Sequence, residues 1–200
     1  MTYTGEMWSR MLAALAAVAT GTLLVAGCSP GAGNGGAEST RPPAGPPAPT
    51  ATDERSVDRV LAGLDGVMGD LQRILVRERA ITPEVTDRLQ SIYTGPELLN
   101  QIDAFKLDVD RGLAGYRSTP GNRLTVVSRL ISAGPHCVLA EVKRDYSPVS
   151  AGRAPPAATL YVILVTKNAV DDPKGYNPTG WAMLYDGVQT DGSQPEDVCA

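Results

Sequence analysis

An uncharged apolar segment near the start of the chain restricts most strongly which residues can belong to a folded domain. Residues 11–26 carry no charge and directly follow Arg10. A basic residue before a hydrophobic stretch is typical of a secretory signal peptide. As a helix the stretch would reach only about 24 Å, short of the ~30 Å hydrocarbon core of a bilayer. We therefore predict that residues 1–27 are a signal peptide. Glu6 opposes the usual basic bias, so a start at Met7 competes with a start at Met1.

The segment ends in a short pattern, residues 23–28, with the sequence Leu-Leu-Val-Ala-Gly-Cys. Small residues before a cysteine resemble the bacterial lipobox, whose cysteine receives a diacylglycerol before the chain is cut in front of it. The resemblance implies a lipid such as palmitate on Cys28 and a location on the extracytoplasmic side of the cell membrane. A short membrane anchor with an incidental cysteine is the alternative.

A linker and a domain follow the cysteine. Residues 29–52 contain six prolines and five glycines and almost no large apolar residue. Such a composition cannot bury enough surface to offset the entropy of ordering it. We predict a disordered tether over residues 28–52 and a single domain over residues 53–200.

Charge and cysteine content limit the partners and the compartment. The net charge of −4 disfavours nucleic acid and anionic surfaces as partners. With Cys28 assigned to lipid, Cys137 and Cys199 remain. In an exported protein an even pair is most simply a disulfide, and two free buried thiols are the alternative.

The first half of the domain has helical periodicity. Three amphipathic helices are predicted. The first is capped by Thr52 or Asp53, the second begins after Thr82 with proline at its first position, and the third begins after Thr94, where Thr94 and Glu97 form a capping-box pattern. Nine apolar residues form the stripe of the first helix: Val57, Val60, Leu61, Leu64, Val67, Met68, Leu71, Ile74 and Leu75. Gly63, Gly66 and Gly69 within it allow either a close approach of another segment or a bend.

The second half is rich in β-forming residues. Four strands are predicted over residues 123–132, 136–146, 158–167 and 180–187, with a hairpin turn at residues 133–135. The predicted fold class is therefore α+β, with three N-terminal helices packed on one face of a curved four-stranded antiparallel sheet.

This order of elements, the helix entry at residues 93–97 (Tyr-Thr-Gly-Pro-Glu) and the late Gly180-Trp181 strand resemble the nuclear transport factor 2-like superfamily. More narrowly, the chain resembles small actinobacterial lipoproteins that carry this cone-shaped domain. The resemblance implies a sheet that wraps around the helices and leaves a pocket. Members of the superfamily include isomerases, polyketide cyclases and non-enzymatic binding or scaffolding modules. A cystatin-like or unrelated α+β sandwich is the competing fold.

No catalytic or metal motif stands out. His136 is the only histidine and is interpreted as a hairpin-end residue without a role. Isomerase-type chemistry uses a carboxylate base and tyrosine or protonated-acid donors. The chain contains residues of the required types, but their spacing does not match that constellation, so no catalytic residue is assigned. These residues are Asp103, Tyr116, Asp145 and Tyr161. The aspartates at 171, 172, 186 and 191 lack calcium-loop spacing and are interpreted as turns, so no metal or cofactor is predicted.

The last two strands do not alternate between apolar and polar residues. In the third, Leu160, Val162 and Leu164 oppose Tyr161, Ile163 and Val165; in the fourth, Ala182 and Leu184 oppose Trp181, Met183 and Tyr185. Since helices cover one face only, the other face is predicted to meet a second copy or a partner, with loops after Tyr146 and Lys167 as the alternative cover. The pocket or interface candidates are Tyr161, Ile163, Trp181, Met183 and Tyr185.

These observations favour a membrane-tethered, non-enzymatic binding or scaffolding module of the cell envelope. Its candidate partners are the membrane through Cys28, a homodimer partner or an envelope protein, and a small apolar ligand. The alternative is an isomerase-like or cyclase-like enzyme with an Asp/Tyr site in the pocket.

Overall fold

The computed structural model describes residues 53–152, 160–167, 172–188 and 194–199. The predicted signal peptide, Cys28 and the tether lie outside the described residues. Three helices are followed by four strands, as predicted. They are α1 (Glu54–Glu78), α2 (Pro83–Ile92), α3 (Gly95–Asp110), β1 (Leu124–Ala133), β2 (Cys137–Asp145), β3 (Leu160–Thr166) and β4 (Trp181–Gly187).

Helices α1 and α2 begin at the predicted caps. The Asp53 side chain accepts a hydrogen bond from the backbone N–H of Ser56 at 2.7 Å, and the Thr82 hydroxyl accepts from that of Val85 at 3.3 Å. All nine apolar residues of the predicted α1 stripe are buried. Two of the α1 glycines permit close approach: an added Cβ at Gly69 would collide with the side chain of Asn122, and one at Gly63 with the methyl group of Thr179.

The predicted capping box at the start of α3 is wrong. The Thr94 side chain makes no cap hydrogen bond, and its backbone N–H donates instead to the carbonyl of Met183 in β4 at 3.0 Å. A capping box needs that N–H for the glutamate at the third helical position. Glu97 therefore accepts from Gln101 in its own helix at 2.7 Å. Docking of the helix entry on the sheet replaces the local cap.

The four strands form one antiparallel sheet in the order β1-β2-β3-β4, so the α+β class is confirmed. The sheet is open and not strongly curled, with β1 and β4 at opposite edges. The curved, cone-shaped sheet that was predicted is therefore not confirmed.

Side chains and backbone of the helical layer cover both edges of the sheet. On β1, the backbone N–H groups of Thr125 and Val127 donate to the carboxylates of Asp65 and Asp58 in α1, each at 2.7 Å. On β4, the carbonyl of Met183 accepts a hydrogen bond from the backbone N–H of Thr94. Edge groups that already have partners do not recruit another strand, so this arrangement disfavours edge-to-edge association at these positions.

The two sheet faces have different surroundings. The inner face joins the helices in the main core. It contributes Val138, Ala140, Val142, Leu160, Val162, Leu164, Trp181 and Met183. The outer face carries Leu139, Tyr161, Ile163 and Ala182, the neighbours of these residues along the strands. The predicted division of β3 into two apolar faces is confirmed.

The predicted division of β4 is wrong at Tyr185. Leu164 pairs with Met183 but Ile163 pairs with Tyr185, so β4 has one extra residue, Leu184, at this point. An extra residue reverses the face to which the following side chains belong. Tyr185 therefore lies on the outer face with Ile163, and Asp186 returns to the inner face opposite Val162.

Candidate functional site

The five candidates from the strand pattern do not form one site. Trp181 and Met183 are fully buried in the main core, whereas Tyr161, Ile163 and Tyr185 belong to the outer face. A pocket or an interface made by all five together is excluded by the register.

Part of the outer face is buried, and a disulfide fastens the C-terminal end of the chain beside it. Leu139, Ile163 and Ala182 are buried there although they lie opposite the helical layer. The predicted disulfide between Cys137 and Cys199 is present, with the two Cα atoms 5.3 Å apart. Cys137 lies two residues before Leu139 and therefore on the same face. The bond thus fastens the C-terminal residues to β2, as the predicted pairing implied, beside the buried outer-face residues.

The side chains considered for isomerase-type chemistry do not converge. Asp103 is exposed and pairs with Lys106 at 3.0 Å, and the Tyr116 hydroxyl donates to Asp108 at 2.7 Å. These contacts are local to α3 and the turn after it. Asp145 is also exposed and accepts from the backbone N–H of Ser147, two residues away.

A different group of polar side chains does converge, between α1, the end of α2 and the inner face of the sheet. We call it the buried charge network, and it consists of Asp65, Tyr93, Arg123, Arg144 and Asp186. Arg123 Nε donates to Asp65 at 2.6 Å and its Nη2 lies 3.5 Å from Asp186. Arg144 Nη1 donates to Asp186 at 2.7 Å, and the Tyr93 hydroxyl donates to the same carboxylate at 3.0 Å.

Thr125 links two members of the network, Arg144 and Asp65. Its hydroxyl accepts from Arg144 Nε at 2.8 Å and donates to Asp65 at 3.2 Å. The side chains of Arg144 and Asp186 are each only 2% exposed. Two guanidinium groups and two carboxylates balance in formal charge, which is the condition under which buried ions are tolerated.

The network leaves one polar atom without a partner. Arg144 Nη2 is buried and makes no hydrogen bond, although Nε and Nη1 of the same guanidinium are occupied. An unsatisfied buried donor is uncommon in folded proteins and costs free energy. Arg144 is therefore the member of the network whose donors are incompletely satisfied within the described residues.

Electrostatics fix the protonation states of the central pair. Burial alone would raise the pKa of the Asp186 carboxyl, but the charges of Arg144 and Arg123 and two hydrogen bonds outweigh it, so this pKa lies below its usual range. Burial raises the pKa of the Tyr93 phenol well above its usual range. At neutral pH the pair is an ionised carboxylate and a neutral phenol.

Glu97, at the start of α3, borders the network and shows the opposite behaviour. Burial is the main cause that raises the pKa of its carboxyl above 4.5, and the charge of Asp186 acts in the same direction. The ionised form is thus disfavoured in the folded state. Glu97 therefore contributes to the free energy of unfolding in its protonated form. This contribution is fully present below the ordinary pKa of Glu97 and is lost as the pH rises through the higher pKa of the folded state.

We expect Glu97→Gln to flatten this part of the pH profile. The variant should gain stability relative to the parent at neutral pH and lose that advantage below pH 4.5, where Glu97 is protonated. Urea denaturation of both proteins at neutral pH and below pH 4.5 measures the difference in stability. Glu78→Gln, an exposed glutamate on α1, is the matched control. Equal destabilisation by Glu97→Gln at all pH values would contradict the interpretation.

The sequence carried one signal for this network that was not used. Asp65 stands among the apolar residues of the α1 stripe, between Leu64 and Met68, where a solvated carboxylate does not belong. Asp186 was interpreted as a turn residue, which is wrong: it lies in β4 and forms buried ion pairs with both arginines.

Metal and membrane sites are not found in the described part of the chain. Among residues 53–152, 160–167, 172–188 and 194–199, no group of three or more potential ligands could hold a metal ion. Within the same ranges, every helix is too short or too polar to cross a bilayer.

Comparisons with protein-family models, curated proteins and solved structures find no match to this chain. The resemblance to nuclear transport factor 2-like lipoproteins therefore remains a prediction from sequence.

Proposed function

We propose that the protein is a lipid-anchored, extracytoplasmic binding or scaffolding module of the cell envelope, with a domain related to the nuclear transport factor 2-like superfamily. The observation that carries the proposal is the Cys137–Cys199 disulfide, because such bonds persist in oxidising compartments outside the cytoplasm. It agrees with the lipobox pattern at Cys28, which predicts export by an independent route.

The buried charge network supports a binding role over the enzymatic alternative. A carboxylate that acts as general base benefits from a pKa raised toward the working pH. Asp186 has the reverse, a lowered pKa caused by two guanidinium groups that outweigh burial, and it is 2% exposed. An isomerase or cyclase centred on Tyr93 and Asp186 is therefore the weaker hypothesis.

The proposal is tested by capture from native membranes. The lipidated protein, expressed in its own host and purified in mild detergent, should enrich a lipid or an envelope protein. Cys28→Ala is the matched control, since it removes the anchor and leaves the domain unchanged. A partner that the parent and Cys28→Ala recover equally is bound by the domain and not through the anchor. Enrichment of no lipid and no envelope protein by the parent over a detergent blank would contradict the proposal.

The outer face offers a second test of the binding role. Tyr161→Lys should leave the unfolding midpoint nearly unchanged, because the side chain is only partly buried, but should weaken assembly with a second copy or a partner. Met183→Lys should instead unfold the domain, with a cost above about 4 kcal/mol, because it buries a charge in the core. Sedimentation and thermal unfolding separate the two effects. Unchanged assembly in Tyr161→Lys would contradict an interface there.

A further inference from the structure

We draw no further inference here: the strongest candidate, the exposed apolar patch that Leu124 and Val126 of β1 form on the outer face of the sheet, carries no proposal because nothing in the described part of the chain shows what covers it, and a second copy placed there would restate the assembly already proposed.

Discussion

Asp186→Asn should lower the free energy of unfolding by about 3–5 kcal/mol, the range measured when one member of a buried ion pair is removed. The substitution keeps the shape of the side chain but leaves Arg123 and Arg144 with Asp65 as the remaining carboxylate of the network. Asparagine can still accept a hydrogen bond from the Tyr93 hydroxyl, so the lost stability measures the contribution of the negative charge. Chemical denaturation at neutral pH measures it.

Asp103→Asn is the matched control, because Asp103 is an exposed carboxylate in a surface pair and should change stability by less than about 1 kcal/mol. The pH profile provides a second check. Because the folded-state pKa of Asp186 is lowered, its contribution is present above the ordinary value of 3.8 and is lost as the pH falls through the lowered pKa. A parent and an Asp186→Asn variant of equal stability at neutral pH would contradict the ion-pair assignment.

Cys199→Ser should destabilise the domain by about 4 kcal/mol on the chain-entropy model, since the bond closes a separation of 62 residues. It should also release the C-terminal residues from the outer face and expose the cluster around Leu139 and Ile163. Non-reducing denaturation and binding of a hydrophobic dye measure the two effects.

The double variant Cys137→Ser with Cys199→Ser is the control for this experiment. Both positions contribute through one bond, so the double variant should lose no more stability than either single variant. Additive losses, or an unchanged stability in Cys199→Ser, would show that the bond does not stabilise the native protein.

The sequence predicted those parts of the fold that depend on local pattern. The period of α1, the proline-led start of α2 and the turn before Cys137 are each set by neighbouring residues, and each was confirmed. The pairing of Cys137 with Cys199 followed from counting cysteines. The existence of the four strands followed from residue types.

The predictions that proved wrong concern features that depend on contacts between distant segments. The extra residue Leu184 in β4 is visible only from its pairing with β3, and it moved Tyr185 to the other face. The predicted capping box at Thr94 does not form because the backbone N–H of Thr94 donates to the carbonyl of Met183. Local periodicity carries no information about either event.

The candidate site was missed for the same reason. Arg123 and Asp186 are far apart in the chain, and each alone is an ordinary polar residue at a strand end. Only Asp65, a carboxylate in an apolar helix stripe, gave a local indication that a buried cation must lie opposite. The balance of the network is a property of the assembled fold.

The identity of the mature N-terminus tests the central claim most directly. Intact-mass and N-terminal peptide analysis of the protein purified from its native membrane should find a chain that begins at Cys28 and carries a diacylglycerol modification. Cys28→Ala should lose the lipid mass and leave the detergent phase for the soluble or uncleaved fraction. An unmodified Cys28 in the parent, with the same partitioning in Cys28→Ala, would contradict the lipid-anchored account.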